Sequence, residues 1–172
     1  GLPRIGGCII LDGSFGSRTA ALLRPYHDGP GDGVLYYGDD ELTSFIGRAH
    51  GRGMQVAVHA IGDRAVHQAV RCLEAAVGSD AREARHRIEH CELVDAGAVA
   101  GILRLGAGVC VQPAFERYWG GPGGLYEKRL GTGRMRRTNP YRSMLDSGVP
   151  LGAGSDSYVT PIDPLGGMAA AA

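Results

Sequence analysis

Short apolar runs alternate along this chain with stretches whose apolar residues recur every three or four positions. This is the pattern of βα units that build a parallel sheet. Five runs predict strands: GCIILDG (7–13), MQVAVHAI (54–61), RIEHCEL (87–93), GAGVCVQP (106–113) and VPLGAGSD (149–156). Several are apolar on both parities, as expected of strands covered on both faces. Residues 39–51 open with acids and stop on glycine, which suits the helix dipole and the usual C-terminal stop. Residues 63–77 place Val66, Ala69, Val70, Leu73 and Val77 on one helical stripe, and 95–104 and 139–147 predict shorter helices. Two long loops, 13–38 and 114–138, each follow a strand. In parallel α/β folds such segments build the site, so both are expected to carry function.

The strand ends hold the candidate chemistry. His59 lies near the end of the second run, His90 of the third and Asp156 of the fifth, each before the chain turns toward a helix. Two neutral imidazoles and a carboxylate on one rim suit Zn²⁺ or a similar divalent ion, with a position left for water. Taken singly, each has an ordinary alternative: a hydrogen-bonded core histidine, or an aspartate capping a helix. Arg87 and Glu89 alternate with His90 and are expected to face the helix layer. Asp63 reads as a helix cap and Arg64 as a local pairing residue. In the late loop, Arg117, Tyr118 and Trp119, with Phe115 nearby, read as a substrate lid whose arginine suits a carboxylate; a solvated loop is the alternative. The GGPGG stretch (120–124) lacks the lysine and helix of a phosphate loop. RMRRT (134–138) reads as a solvated approach to a helix rather than a nucleic-acid patch.

Composition narrows the classes. At 172 residues the chain has the length of one domain, short of the roughly 250 residues of a complete (β/α)₈ barrel. Lys and Arg balance Asp and Glu at 18 each, so no global field recruits nucleic acid or an anionic membrane. No apolar run approaches the roughly 20 residues of a membrane helix, and no signal-peptide pattern opens the chain, so a soluble cytoplasmic protein is expected. Cys8, Cys72, Cys91 and Cys110 form no CxxC pair and are expected to be reduced thiols, the last three as core fillers. Gly1 in place of Met, and the GGMAAAA end, predict a portion of a longer polypeptide.

VAVHAIGDRAV, RHRIEHCELV, SGVPLGAGSDSYVTPIDPL and LDGSFGSRTAALL, in this chain's spacing, resemble the metal-dependent amidohydrolases over nearly the whole sequence. The resemblance is to amidohydrolase family 3, the branch that includes N-substituted formamide deformylases. It implies an α/β fold: the carboxyl-terminal portion, about strands 4 to 8, of a distorted TIM (β/α)₈ barrel. The remaining strands and a small flanking β domain would lie outside this chain. It also implies that His59 is the fifth-strand ligand, His90 the sixth-strand ligand and Asp156 the eighth-strand acid, holding one or two divalent ions, zinc foremost. The family's first-strand HxH pair has no counterpart, because no two of the six histidines are two residues apart. Many relatives carry a metal-bridging lysine four residues before the aspartate of the DG pair. Here that position is Cys8, and the only lysine is Lys128. Cys8 stays open between a thiolate ligand and a small buried hydrophobe.

The activity so implied is hydrolysis of a C–N bond in a small-molecule amide, formamide or N-acyl amine by metal-activated water. Asp156 would accept the proton and pass it to the leaving amine. The segment alone is expected to be inactive. The alternative is an incomplete, non-catalytic relative acting as an association module. A homo-oligomer is left open, and neither a nucleic-acid nor a membrane partner is expected.

Overall fold

Five strands lie side by side in chain order, all parallel: β1 (Ile9–Ile10), β2 (Ala57–Ala60), β3 (Arg87–His90), β4 (Gly108–Val111) and β5 (Leu151–Ala153). The computed structural model describes residues 8–78 and 81–172, so Gly7 of the first predicted run lies outside the described residues. Among the described residues strand order never reverses, so they hold no switch point of the doubly wound kind. Right-handed crossovers then place the connecting helices on one face, giving an arc of a singly wound α/β barrel. The strands are shorter than the predicted runs because each run continues into turns that the sheet does not pair.

The outward row of the sheet is apolar. Val58, Ile88 and Val109 pair across β2, β3 and β4. They share one core with Leu42 and Ile46 of α1 (Asp39–His50), Val66 and Leu73 of α2 (Asp63–Val77), and Ile102 of the helix after β3. Each fully buried Val, Leu or Ile contributes about 1.5–3 kcal/mol. That fixes the register, since a one-residue slip would drive His59 and Glu89 into this layer. After the short α3 (Ala81–Ala84), α4 (Ala96–Leu105) is set by both its ends. The Asp95 carboxylate accepts the Ala98 N–H at 2.8 Å, and Gly106 closes the helix with φ 64°.

The inward row reads Ile10, His59, Glu89, Cys110, Gly152. The expectation that Arg87 and Glu89 face the helices is therefore reversed. Their parity is opposite to that of Ile88, which the apolar core claims. Arg87 ion-pairs with Glu89 and donates to Gln55 Oε1 at 2.9 Å. Cys110, across from Glu89, is a half-buried inward residue rather than a core filler, whereas Cys72 and Cys91 are buried as expected.

Segment 13–38 is irregular, but 114–138 is not the loop expected. It folds as α5 (Pro113–Trp119), α6 (Leu125–Leu130) and α7 (Thr132–Met135). Each is only one or two turns with glycine at one end or both, so none carries a legible stripe of its own. They are held by a second apolar core in which Phe15, Leu22 and Tyr26 of the early segment meet Tyr126, Leu130 and Met135. Phe15 and Tyr126 stand edge to face at 5.1 Å. Asp28 accepts two hydrogen bonds from Arg18 at 3.0 and 2.9 Å and another from Arg129, so one carboxylate ties both segments together. Arg134, in the stretch expected to be solvated, donates to the carbonyls of Arg24 and Pro25 at 3.0 and 2.8 Å. The predicted helix 139–147 becomes α8 (Tyr141–Asp146). An unpredicted α9 (Pro164–Ala171) packs on α5. Among the described residues no helix is long and apolar enough to cross a membrane.

Candidate functional site

The carboxyl ends of the strands surround a cavity of about 560 Å³ whose wall includes Asp12, His59, His90, Glu92 and Asp156. Of the residues singled out in the sequence, His59, His90, Phe115, Trp119 and Asp156 line it. Arg117 and Tyr118 do not. Arg117 lies 3.7 Å from Asp163 at the start of α9, and its guanidinium sits beside the exposed Tyr118 ring. Cys8 is exposed below Ile10 on the inward side, where the buried-hydrophobe alternative required burial. Its thiol is pushed up, first by partial burial and then by Glu89 and Asp156.

His59 owes its place to strand parity, and its orientation to the turn after β1. Its Nε2 donates to the Gly13 carbonyl at 3.0 Å and lies 3.5 Å from Asp12 Oδ1. That bond fixes the proton on Nε2 and leaves the Nδ1 lone pair free. Asp12 is fully buried and accepts the N–H groups of Ala21 at 2.8 Å, Ile61 at 3.0 Å and Gly62 at 2.9 Å. Burial pushes its carboxyl up to about 6, against the pull of those donors and of His59. Gly62 must be glycine, because a Cβ there would sit 2.0 Å from the Ala21 carbonyl oxygen. Asp63 is the first residue of α2 and not its cap, which is Gly62 with no side-chain capping bond; its carboxylate instead accepts the Leu23 N–H at 2.8 Å. Arg64 reaches Asp32 and the Gly33 carbonyl rather than a local partner.

His90 arrives by a different route. Its register partner is Ala60, and regular alternation would send its side chain outward with Ile88. Instead His90 and Cys91 adopt φ 69° and 54°, and the Cys91 N–H turns back to the Glu89 carbonyl at 3.0 Å. The two left-handed residues rotate the imidazole over the rim, where its ring stands 4.4 Å from that of His59. Such backbone costs about 1–3 kcal/mol per residue and is retained where the surrounding structure enforces it. Burial, then His59, pushes the His90 imidazole down to about 3, so it is neutral at physiological pH. Phe115 packs at 5.6 Å from His90 and Trp119 at 4.6 Å from Phe115, which continues the wall.

Two wall residues escaped the reading of the sequence. Asp12 served there only as a landmark, and Glu92 was passed over. Glu92 is buried, Tyr126 donates to its Oε2, and burial pushes its carboxyl up to about 8, aided by Asp12, Glu116 and Asp156. The available signal was an acid inside an apolar strand exit, LDG or HCELV, where an unpaired carboxyl is costly. Asp156 takes φ 51° after β5. Burial raises its carboxyl, with His59 opposing and Glu89 reinforcing.

In donor chemistry the rim fits a divalent cation. His59 keeps Nδ1 free, and His90 Nδ1 is buried without a hydrogen-bond partner among the described residues. Among those residues, however, no group of three His, Cys, Asp or Glu side chains is close enough to hold an ion.

A singly wound parallel arc with imidazoles and carboxylates gathered at its carboxyl rim has the architecture of the (β/α)-barrel class, whose sites lie at that rim. More particularly, the chain belongs to the Amidohydrolase family, whose sequence model matches residues 6–172. YtcJ of Bacillus subtilis, provisionally named an amidohydrolase, is 33% identical over 95% of this chain and 30% of that protein. The N-substituted formamide deformylase of Arthrobacter pascens is 26% identical over 72% of this chain and 22% of its own length. An uncharacterized metal-dependent hydrolase from Pyrococcus furiosus superposes with a TM-score of 0.82 at 34% identity, covering 98% of this chain and 36% of that one. The chain thus spans about a third or less of the length of these relatives.

Proposed function

We propose that the protein hydrolyses the C–N bond of a small amide, formamide or N-acyl amine, using a divalent metal, zinc foremost, bound at the rim. The observation that carries this reading is the convergence of His59, His90 and Asp156 on one cavity, supported by family membership and by the metal-dependent hydrolase fold neighbour. A cation there would acidify a water molecule and polarise the scissile carbonyl. His59 and His90 would hold it as neutral imidazoles, and Cys8 is a further candidate ligand. Asp156 takes the proton of the attacking water and returns it to the departing nitrogen, while Phe115 and Trp119 keep bulk water from the cavity. The partner is a small molecule; neither nucleic acid nor a membrane is needed, and a cytoplasmic setting suits the reduced thiols.

The test is turnover of a panel of N-formyl and N-acyl amines by the purified, metal-loaded full-length protein, with and without chelator. Chelator-sensitive amine release is expected; no release across the panel would overturn the reading. A non-catalytic association module is the second reading. It is favoured by the exposed apolar residues Tyr158, Ile162, Leu165 and Met168 around α9. A protein that binds no metal and turns nothing over would favour it.

A further inference from the structure

The turn that follows Asp12 gathers three hydroxyls. Ser14 Oγ stands 3.0 Å from Ser17 Oγ, and Ser17 Oγ stands 2.6 Å from Thr19 Oγ1. All three residues line the cavity that His59 faces. Ser14 and Ser17 are exposed and Thr19 is half-buried, so the cluster lies open where the carboxyls of Asp12 and Glu92 are shut in. The turn itself is pinned. The Ser14 carbonyl accepts the Thr19 and Ala20 N–H groups at 3.0 and 3.1 Å, and Arg129, clasped by Asp28, donates to the Gly16 carbonyl at 3.1 Å.

Each hydroxyl brings one proton and two lone pairs. The Ser14 N–H reaches Thr19 Oγ1 at 3.1 Å and the Ser17 N–H reaches Ser14 Oγ at 3.3 Å. With these and the two mutual contacts made, two lone pairs stay unspent whichever way the hydroxyls turn. Tyr126, the other hydroxyl in the wall, donates to Glu92. Among the described residues no lysine or arginine lines the cavity, whereas Asp12 and Asp156 do, so a carboxylate there meets like charge. A carboxylate only accepts and an ammonium only donates. A ligand hydroxyl does both, and so extends the chain of hydroxyls at either end.

We infer that Ser14, Ser17 and Thr19 form a subsite for an uncharged hydroxyl carried by the substrate, which makes this turn the determinant of a preference for hydroxylated amides. The inference rests on the amide-hydrolase reading above. Ser17, which touches both of the others, is the member whose loss breaks the chain.

The probes are N-(ω-hydroxyalkyl)formamides and N-methyl-ω-hydroxyalkanamides of increasing chain length, each paired with the analogue bearing methyl in place of hydroxyl. The two series put the hydroxyl on opposite sides of the scissile bond. Dissociation constants and turnover are measured with the full-length wild-type protein and its Ser17→Ala, Ser14→Ala and Ser17→Thr variants. The wild type is expected to favour the hydroxyl compound of its best pair by about fivefold or more, the worth of one neutral hydrogen bond. Ser17→Ala brings that binding ratio to within about twofold, Ser14→Ala lowers it partway, and Ser17→Thr, which restores a hydroxyl, keeps it. A purely structural turn would lower the melting temperature, or weaken both members of a pair, without moving the ratio. No preference at any length in either series, a ratio unmoved by Ser17→Ala, or no binding of any probe overturns the inference. So does tighter binding of the ω-ammonium analogue than of the hydroxyl compound in wild type and Ser17→Ala alike, which would assign selection to Asp156. Hydroxyl preference in binding without cleavage leaves the subsite standing and removes the hydrolase reading, whereas cleavage without preference does the reverse.

Discussion

The imidazoles of His59 and His90 stand edge to face with ring centres 4.4 Å apart, although the register pairs His59 with Glu89 and His90 with Ala60. Parity delivers one ring to the inward face. Two left-handed residues deliver the other, and the pair exists only because the backbone breaks its own alternation. If the pair holds a cation, His59→Ala and His90→Ala in the purified full-length protein should each lower its zinc affinity at least about tenfold. Elemental analysis and competition with a chelator measure this. Unchanged affinity in both variants would refute a shared ion.

Asp156→Asn keeps the shape of the side chain and removes the base. Turnover of N-formyl and N-acyl amines should fall by about 10²–10⁴-fold, with the melting temperature and metal content unchanged. If Asp156 is only a turn residue, Asn serves nearly as well, and turnover within about threefold of wild type, far below the acid–base range, would rule out the proton-transfer role.

His86 makes the fold sensitive to acid. It is fully buried at the start of β3, where Nδ1 accepts the Val56 N–H at 3.0 Å and Nε2 stands 3.2 Å from His50 Nδ1. Protonation would aim an N–H at the Val56 N–H, and burial, then His50, pushes the imidazole from 6.5 down to about 4. Because the folded value is depressed, the unfolded chain binds the extra proton first. The contribution to stability is complete above 6.5 and is lost as pH falls toward 4. The melting temperature should therefore decline across that window, and His86→Asn should melt lower at neutral pH but with a shallower slope. Equal slopes would assign the acid sensitivity elsewhere.

Asp28 joins Arg18 and Arg129, and through them segment 13–38 and the α5–α7 cap. The two arginines hold its carboxyl down at about 2, so the clasp is closed throughout the physiological range. Asp28→Ala should speed proteolytic cleavage within residues 13–38 by several fold while the sheet core melts little changed, because the clasp touches the segment and not the strands. Cleavage rates matching the wild type at low and high salt would show that the second apolar core alone holds the segment.

Much of the framework was legible from one-dimensional pattern. The stripe from Val66 to Val77 marks α2, whose bounds Asp63–Val77 match the predicted helix, and the five apolar runs appear as five parallel strands in order. Helices α5–α7 were not legible, because their stability comes from Phe15, Leu22 and Tyr26, about a hundred residues away in the chain. The facing of Arg87 and Glu89 was not legible either. Alternation in RIEH gives two faces but does not say which one the helices cover.

By itself the sequence determined the order of the βα units and which residues can carry chemistry at the strand ends, since hydrophobic periodicity and side-chain identity are properties of short stretches. Only the tertiary structure decided that His90 turns inward and that Glu92 is walled into the cavity with one oxygen free. It also decided that Arg117 faces Asp163 instead of the site. Each of these depends on what lies across the sheet or on a distant segment. Burial of a side chain is settled by those neighbours and not by the residues beside it in the chain.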